Sequence, residues 1–560
     1  MKSAMRVGMM TVAVMSLAGS AAAATAPLVT YRITPGAMDA KAGQGHVSVE
    51  IALPAVDAPA GAPFLSMGTS VPGVSRPSIV TDPEITDASG RVPVTRSDRQ
   101  GNSEWTPQRA IKGDATVRYR LQVENAPMTQ GGPPIAPRID GRGFSGTGNV
   151  LLMTPRIAAP HRVALKWDLS GMAKGSEAVT SFGDGDVELP AGPVDRIEHA
   201  IYMAGPLERE PRTGASDGFS SVWLDDPGFD PRPPMQWTGQ LHTWMSRFFR
   251  DKTVPPYRVF MRFNPMNAGG GAALTNSFLI TYGKGVTGES IKSILGHEMA
   301  HTWTAGGMPK WYSEGNAVYY QAQLPWRAGM MTTEQYIADV NEHASRYYTN
   351  LMRHTPEDQV LAKFWEDTRV RVLPYDRGAM YFAVLNGKIR KASDGKRSVD
   401  DLVLTMVERD KAGQTLTEAM WLDLLRQEIG EDGPATHRAM MAGELMLPQS
   451  GDFGPCFQRT THKIRRFDVG FDFTSLVGAT KVVTGLKPDS EAAKAGLRNG
   501  DHISYSAGLD SVQGDVKRML TLNVTRDGKT FPITYLPRGE AVDAYQWERL
   551  PGVPESACKP

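Results

Sequence analysis

Between Ala26 and about Val194, apolar and polar residues alternate in short runs broken by Gly, Pro, Asp and Ser. In ATVRYRLQVEN (115–125) the apolar Val117, Tyr119, Leu121 and Val123 fall on every second position. That is the period of a strand with one buried face. HVSVEIALP (46–54) and HRVALKWDLS (161–170) are runs of the same kind. The pattern predicts an antiparallel β domain over 25–195, and no cluster of chemistry-bearing residues falls within it.

The texture changes near Asp195. RIEHAIYMAG (196–205) reads as a strand, and PPMQWTGQLHTWMSRFFRD (233–251) as a helix with prolines in its first turn, where a missing N–H costs least. YRVFMRF (257–263) and SFLITYG (277–283) are apolar strand runs joined by the glycine-rich NPMNAGGGAALTN. A helix with Ile291, Ile294 and Leu295 on its apolar side follows, giving an α/β unit over 196–329. Helical periods dominate 330–455, as in TEQYIADVNEHASRYYTNLM and in SVDDLVLTMVERD, where Ser398 is placed to cap a helix with Asp401 at its third position. A last domain, 456–560, contains FDVGFDF, the strand-like TKVVTGLKP and SEAAKAGLRNGDHI. The expected fold class is therefore multidomain: β domain, α/β unit, helical domain and a smaller C-terminal domain.

Size and charge narrow the function classes. At 560 residues the chain exceeds what one hydrophobic core supports. Its formal net charge of +1 gives no reason to expect nucleic acid or an anionic membrane surface as a partner. At the N-terminus Lys2 and Arg6 precede an apolar run from Val7 to Ala18 and the A-x-A site Ala22-Ala23-Ala24. This reads as a cleavable secretory signal over 1–24, of bacterial type. It predicts a periplasmic or secreted protein without a membrane span after cleavage, since the apolar run is too short to cross a bilayer. The two cysteines, Cys456 and Cys558, lie outside any CxxC zinc spacing. In an oxidising compartment they are either one disulfide or two unpaired thiols.

The strongest chemical signal is ILGHEMAHTW (294–303). Positions i and i+4 share one helix face, so His297 and His301 can present two imidazoles to one zinc ion. Glu298, beside them, is placed to take a proton from a water that the ion has made more acidic. Glu314 follows His301 by thirteen positions in GGMPKWYSEGNAVYY. Gly306-Gly307 can end the first helix and Pro309 can open a second, which would return Glu314 to the ion as a third ligand. From residue type alone Glu314 is equally a solvated helix carboxylate.

HEMAHTW followed by WYSEG and a tyrosine pair resembles the gluzincin metallopeptidases, specifically the glycyl aminopeptidase (M61) family. The resemblance runs over most of the mature chain and is sharp around 269–320, 375–380 and 467–503. It implies a β domain, a thermolysin-like catalytic unit with a helical domain, and a C-terminal PDZ domain. It also implies one zinc ion on His297, His301 and Glu314, with Glu298 as general base. PYDRGAMYF (374–382) looks like the Tyr-x-[Lys/Arg]-Gly segment of this clan, which would make Tyr375 the hydrogen-bond donor to the oxyanion. Val469-Gly470-Phe471 stands where the PDZ carboxylate-binding loop would be, implying a peptide ligand there or else a purely packing role.

Two departures from that family bear on function. The gap between His301 and Glu314 is shorter than usual, so the hairpin must be tight. Relatives commonly carry Gly-Gly-Leu-Glu-His on the substrate strand, whereas this chain has Gly269-Gly270-Gly271-Ala272-Ala273. Ala272 lacks the acid that holds a substrate amino terminus in related aminopeptidases, while the glycines still allow close backbone approach. The expected function is a zinc metallopeptidase acting on peptides or unfolded segments, aminopeptidase-like but with amine recognition open. The alternatives are a degenerate envelope adaptor working through its PDZ domain, or a gluzincin with a non-peptide substrate.

Overall fold

The computed structural model describes residues 26–558, apart from 72, 73, 76, 127–133, 213–217, 265, 267, 478 and 479. The expected leader over 1–24 lies outside the described residues. Among them, no helix is long and apolar enough to cross a membrane.

The chain divides into two compact units. The first, ending at Leu207, is built from three sheets of seven, five and four strands. Its long pair, Gln44–Ala58 and Ile111–Glu124, is antiparallel with Val49 opposite Tyr119 and Ile51 opposite Val117. Those apolar partners point into a core shared with Tyr31, Trp105 and Leu165. One pairing, Leu28–Pro35 with His161–Trp167, is parallel.

One expectation fails at this boundary. The run 196–205 does not open the second unit. Val194–His199 is a 3-10 turn, and Ile201–Gly205 pairs antiparallel on both sides, with Gly143–Thr147 and Glu177–Thr180. All five residues of Ile201–Gly205 are buried, and this strand lies at the centre of the first unit's five-stranded sheet.

The second unit begins with a five-stranded sheet. Its inner strands Phe219–Trp223, Tyr257–Phe263 and Ser277–Tyr282 are mutually parallel and almost wholly buried. Their near-continuous apolar sequences follow from burial on both faces. Gly271–Leu274 pairs only with Ser277–Tyr282, antiparallel, and forms one edge. Helix Arg232–Phe248 starts with prolines at its first positions, as its sequence indicates. Ser398 caps Val399–Lys411 in a capping box with Asp401.

Three further helices hold the candidate site residues: a histidine helix, Lys292–Thr304; a glutamate helix, Lys310–Arg327; and a tyrosine helix, Leu373–Ala392. Their crossings are made by glycines. A Cβ on Gly296 would sit 2.4 Å from the Gln321 carbonyl oxygen, and one on Gly315 would sit 2.8 Å from the Gly378 Cα. No side chain fits between these backbones.

The C-terminal 100 residues are not one body. A small core of its own covers Phe467 to Tyr535, around Leu476, Val512, Leu520 and Val524. The antiparallel strand pair Phe457–Phe467 and Arg538–Arg549 flanks it, and Phe457, Ala544 and Trp547 join the core of the helical region instead. Asn341 exchanges two hydrogen bonds with the Trp547 backbone, each 2.8 Å. TKVVTGLKP forms only an isolated bridge, Val482 with His502, in place of the expected strand.

Cys456 is bonded to Cys558 across 102 positions. Closing a loop of that size stabilises by roughly 4–5 kcal/mol in the chain-entropy model, within a measured range of about 2–5 for native bridges. Cys456→Ser with Cys558→Ser is therefore expected to lower unfolding free energy by about 2–5 kcal/mol. Denaturant titration of the two proteins checks this, and an unchanged midpoint would show that the bridge contributes nothing.

Candidate metal centre

The histidine helix places His297 and His301 one turn apart, with ring centroids 4.9 Å apart and ring planes at 86°. The helix ends where Gly306 and Gly307 take positive φ (42° and 71°), a conformation open to glycine without penalty. Pro309 then stands at the N-cap of the glutamate helix. This tight reversal answers the short gap noted in the sequence. It brings Glu314 Oε2 to 3.4 Å from His297 Nε2 and 3.2 Å from His301 Nε2.

Those separations are a test of metal fit. Two ligand atoms each about 2.0–2.1 Å from a tetrahedral zinc ion lie about 3.3–3.4 Å from each other. The observed values match. Among the described residues this is the one group of three His, Cys, Asp or Glu side chains whose ligand atoms all lie within 4.8 Å of one another.

The electrostatics suit two carboxylates in different roles. Burial alone would raise Glu314, but the imidazoles of His297 and His301 beside it hold its carboxyl well below the usual range. It is anionic, as a ligand must be. Lys310 Nζ stands 3.5 Å from its Oε1. Glu298 goes the other way: burial pushes it up to about 7, with Glu314 adding to the rise and His297 and the Ala273 backbone N–H opposing it. A carboxyl poised there can take and give protons near neutral pH.

Tyr375, in the first turn of the tyrosine helix, stacks on His297 with centroids 5.9 Å apart and planes 15° from parallel. Burial raises its hydroxyl well above the ordinary tyrosine range, with Glu314, Glu298 and Asp510 adding to it. The hydroxyl therefore stays protonated and able to donate.

The stretch 269–273, expected to line the substrate, leads into the edge strand Gly271–Leu274. Gly269 N–H donates to Thr281 O (2.8 Å), and Gly270 O accepts from Thr281 N–H (2.9 Å). Gly271 and Ala272 then pair with Ile280 and Leu279. The strand approaches the centre closely enough for the Ala273 backbone N–H to reach the Glu298 carboxyl.

The C-terminal loop is less open than its motif suggests. Val469 and Phe471 point into the small core, and the Gly470 N–H is already donated to Asp468 Oδ1 at 2.8 Å. Asp510, from the same module, instead reaches Arg371 at 2.8 and 3.0 Å, just before the tyrosine helix.

Several polar residues behind the centre escape sequence reading. Gln321 Oε1 lies 3.1 Å from His297 Nδ1, and its amide nitrogen meets Asp339 and His343. One signal was available: Gln321 follows Glu314 by two helical turns and so shares its face. Nothing local marks Asp339, His343, Arg346 or Asp376.

No protein-family profile matches the sequence, and no curated protein sequence does either. Comparison of structures is more informative. An aminopeptidase N family protein from Idiomarina loihiensis superimposes with a TM-score of 0.66 at 16% identity, over 93% of this chain and 98% of that one. The chain has an aminopeptidase N-type fold. Two weaker likenesses are a mutant M1 zinc metallopeptidase from Deinococcus radiodurans bound to a Tyr-Ser-Ala substrate and native leukotriene A4 hydrolase from Saccharomyces cerevisiae. The first has TM-score 0.46 and 17% identity, over 76% of this chain and 95% of that one. The second has TM-score 0.45 and 12% identity, over 76% and 68%.

Proposed function

We propose that this chain is a zinc-dependent metallopeptidase of the glycyl aminopeptidase type, acting on peptides or unfolded segments. The observation that carries the reading is the convergence of His297, His301 and Glu314 at zinc-ligand spacing with Glu298 beside them. One zinc ion, held by those three side chains, supplies Lewis acidity toward a carbonyl oxygen and makes water a stronger acid.

The chain's own groups do the rest. The open edge of Gly271–Leu274 receives the substrate as an added strand, with Gly269 and Gly270 leading into it. Glu298 takes a proton from the attacking water and returns it to the leaving amine. Tyr375 donates a hydrogen bond to the oxygen on which negative charge develops. Tyr375→Phe is expected to lower kcat by about 10²- to 10³-fold with KM little changed, as loss of one oxyanion donor does. Steady-state kinetics on a single peptide read this split, and an unchanged kcat removes Tyr375 from the reaction.

The same reading places the protein in a periplasm or outside the cell, in keeping with the Cys456–Cys558 bridge. The Phe467–Tyr535 module is PDZ-like in this proposal, and a ligand at Val469-Gly470-Phe471 would have to displace Asp468 from the Gly470 N–H. No observation favours a degenerate adaptor.

The test is zinc content of the purified protein together with a cleavage profile on peptides with free and blocked N-termini. One zinc per chain with peptide cleavage is expected. Cleavage of free-amine peptides alone would show that another acid substitutes for the one absent at Ala272. A zinc-loaded protein that cleaves no peptide ends the reading.

A further inference from the structure

The polar residues behind His297 form a directed chain of hydrogen bonds, and the direction follows from charge. Asp376 is fully buried and receives Arg346 through Nε and Nη2, each 2.6 Å away. Burial would raise its carboxyl, but Arg346 and His343 hold it below the ordinary range, so it stays an anion. His343 Nδ1 lies 2.8 Å from this anion and 3.2 Å from Arg346 Nη2; the anion is the nearer partner and can only accept, so Nδ1 carries the hydrogen. Against burial, Asp376 raises the affinity of His343 for a second proton. The His343 Nε2, however, faces the Gln321 amide nitrogen, a donor that the Asp339 carboxylate fixes on that side. Nε2 thus acts as a lone-pair acceptor, and His343 is neutral here.

That acceptor lies 2.9 Å from Gln321 Nε2. Both Asp339 oxygens lie 2.9 Å from the same amide nitrogen. An amide nitrogen has two hydrogens, so Asp339 and His343 claim both. The Gln321 oxygen is left facing His297 Nδ1 at 3.1 Å, and it can only accept. His297 therefore carries its hydrogen on Nδ1 and leaves Nε2 bare, on the side of Glu314 and His301.

We propose that Gln321 is a positioning residue that fixes His297 in its ligating tautomer, and that Asp339 and the His343–Asp376–Arg346 group act by setting which way the Gln321 amide faces. The other charges near this group are Glu342 and Asp510, both acting on Arg346. The inference rests on the zinc reading above and adds where the ligand's proton is decided. A carboxylate in place of Gln321 would accept from either side. The amide has a direction, and its neighbours choose it.

The experiment measures zinc affinity by competition with a chromophoric chelator, on the full chain, for the parent, Gln321→Leu, His343→Ala and the double variant. Groups that orient a metal-bound histidine typically change affinity by about 10- to 100-fold. Gln321→Leu is expected to weaken zinc by that factor, and His343→Ala by a smaller one. The double variant should bind no more weakly than Gln321→Leu alone, because His343 acts only through the amide. Gln321→Leu binding within twofold of the parent overturns the proposal, as does multiplication of the two single losses in the double variant. A parent that binds no zinc sinks the metallopeptidase reading instead, so the two failures are distinguishable. Should a variant not fold, long-range proton–nitrogen NMR on histidine-labelled parent protein without added metal decides: hydrogen on His297 Nδ1 supports the proposal, and hydrogen on Nε2 overturns it.

Discussion

Replacing Glu298 with glutamine is expected to leave zinc bound and to lower kcat by about 10²- to 10⁴-fold, the range for loss of a positioned general base. Glutamine keeps the shape of the side chain and its ability to meet the Ala273 N–H. It has no site for a proton. Glu298 contributes no ligand atom to the His297–His301–Glu314 group, so metal content should stay at the parent's level. The comparison therefore separates chemistry from metal loss. Metal analysis and steady-state kinetics on one preparation suffice, and a zinc-loaded Glu298→Gln protein within tenfold of the parent would remove the assigned base.

Glu314→Ala is expected to weaken zinc by more than 100-fold, since even groups that only support a ligand change affinity by about 10- to 100-fold. The carboxylate is the only anion of the ligand set, and the two imidazoles beside it favour its charged form. A ligand that binds only the folded state stabilises it by RT ln(1 + [L]/Kd). A 100-fold loss of affinity thus removes about 2.7 kcal/mol of zinc-linked stability when zinc is in excess. Melting the parent and the variant with and without added zinc reads this directly. An equal zinc-induced shift in both proteins would mean that Glu314 does not hold the ion.

What the sequence made legible was local. His297 and His301 were readable because helical spacing and face are the same information. The reversal that returns Glu314 was readable because Gly306, Gly307 and Pro309 each have a restricted use in chains. Tyr375 needed a family likeness, since a tyrosine at a helix start has no distinctive local pattern. The Ile201–Gly205 strand was assigned to the wrong unit because its partners, Gly143–Thr147 and Glu177–Thr180, lie 20 or more residues away and nothing in the strand names them. The C-terminal region misled for the same reason: Trp547 belongs to the helical core through Asn341, some 200 positions earlier. The Gln321–His343–Asp376 chain draws on three helices, so no window of sequence contains it.

The glycine crossings at Gly296, Gly315 and Gly378 have a further consequence. With backbone against backbone, the three helices cannot move closer. The cage is thus sized before any ion arrives. A calcium ion asks for bonds of about 2.3–2.6 Å and six to eight oxygens, which two imidazoles and one carboxylate do not supply. The closest approach of the three helices is then a property of the main chain, and it should survive changes to the groups that line the cleft.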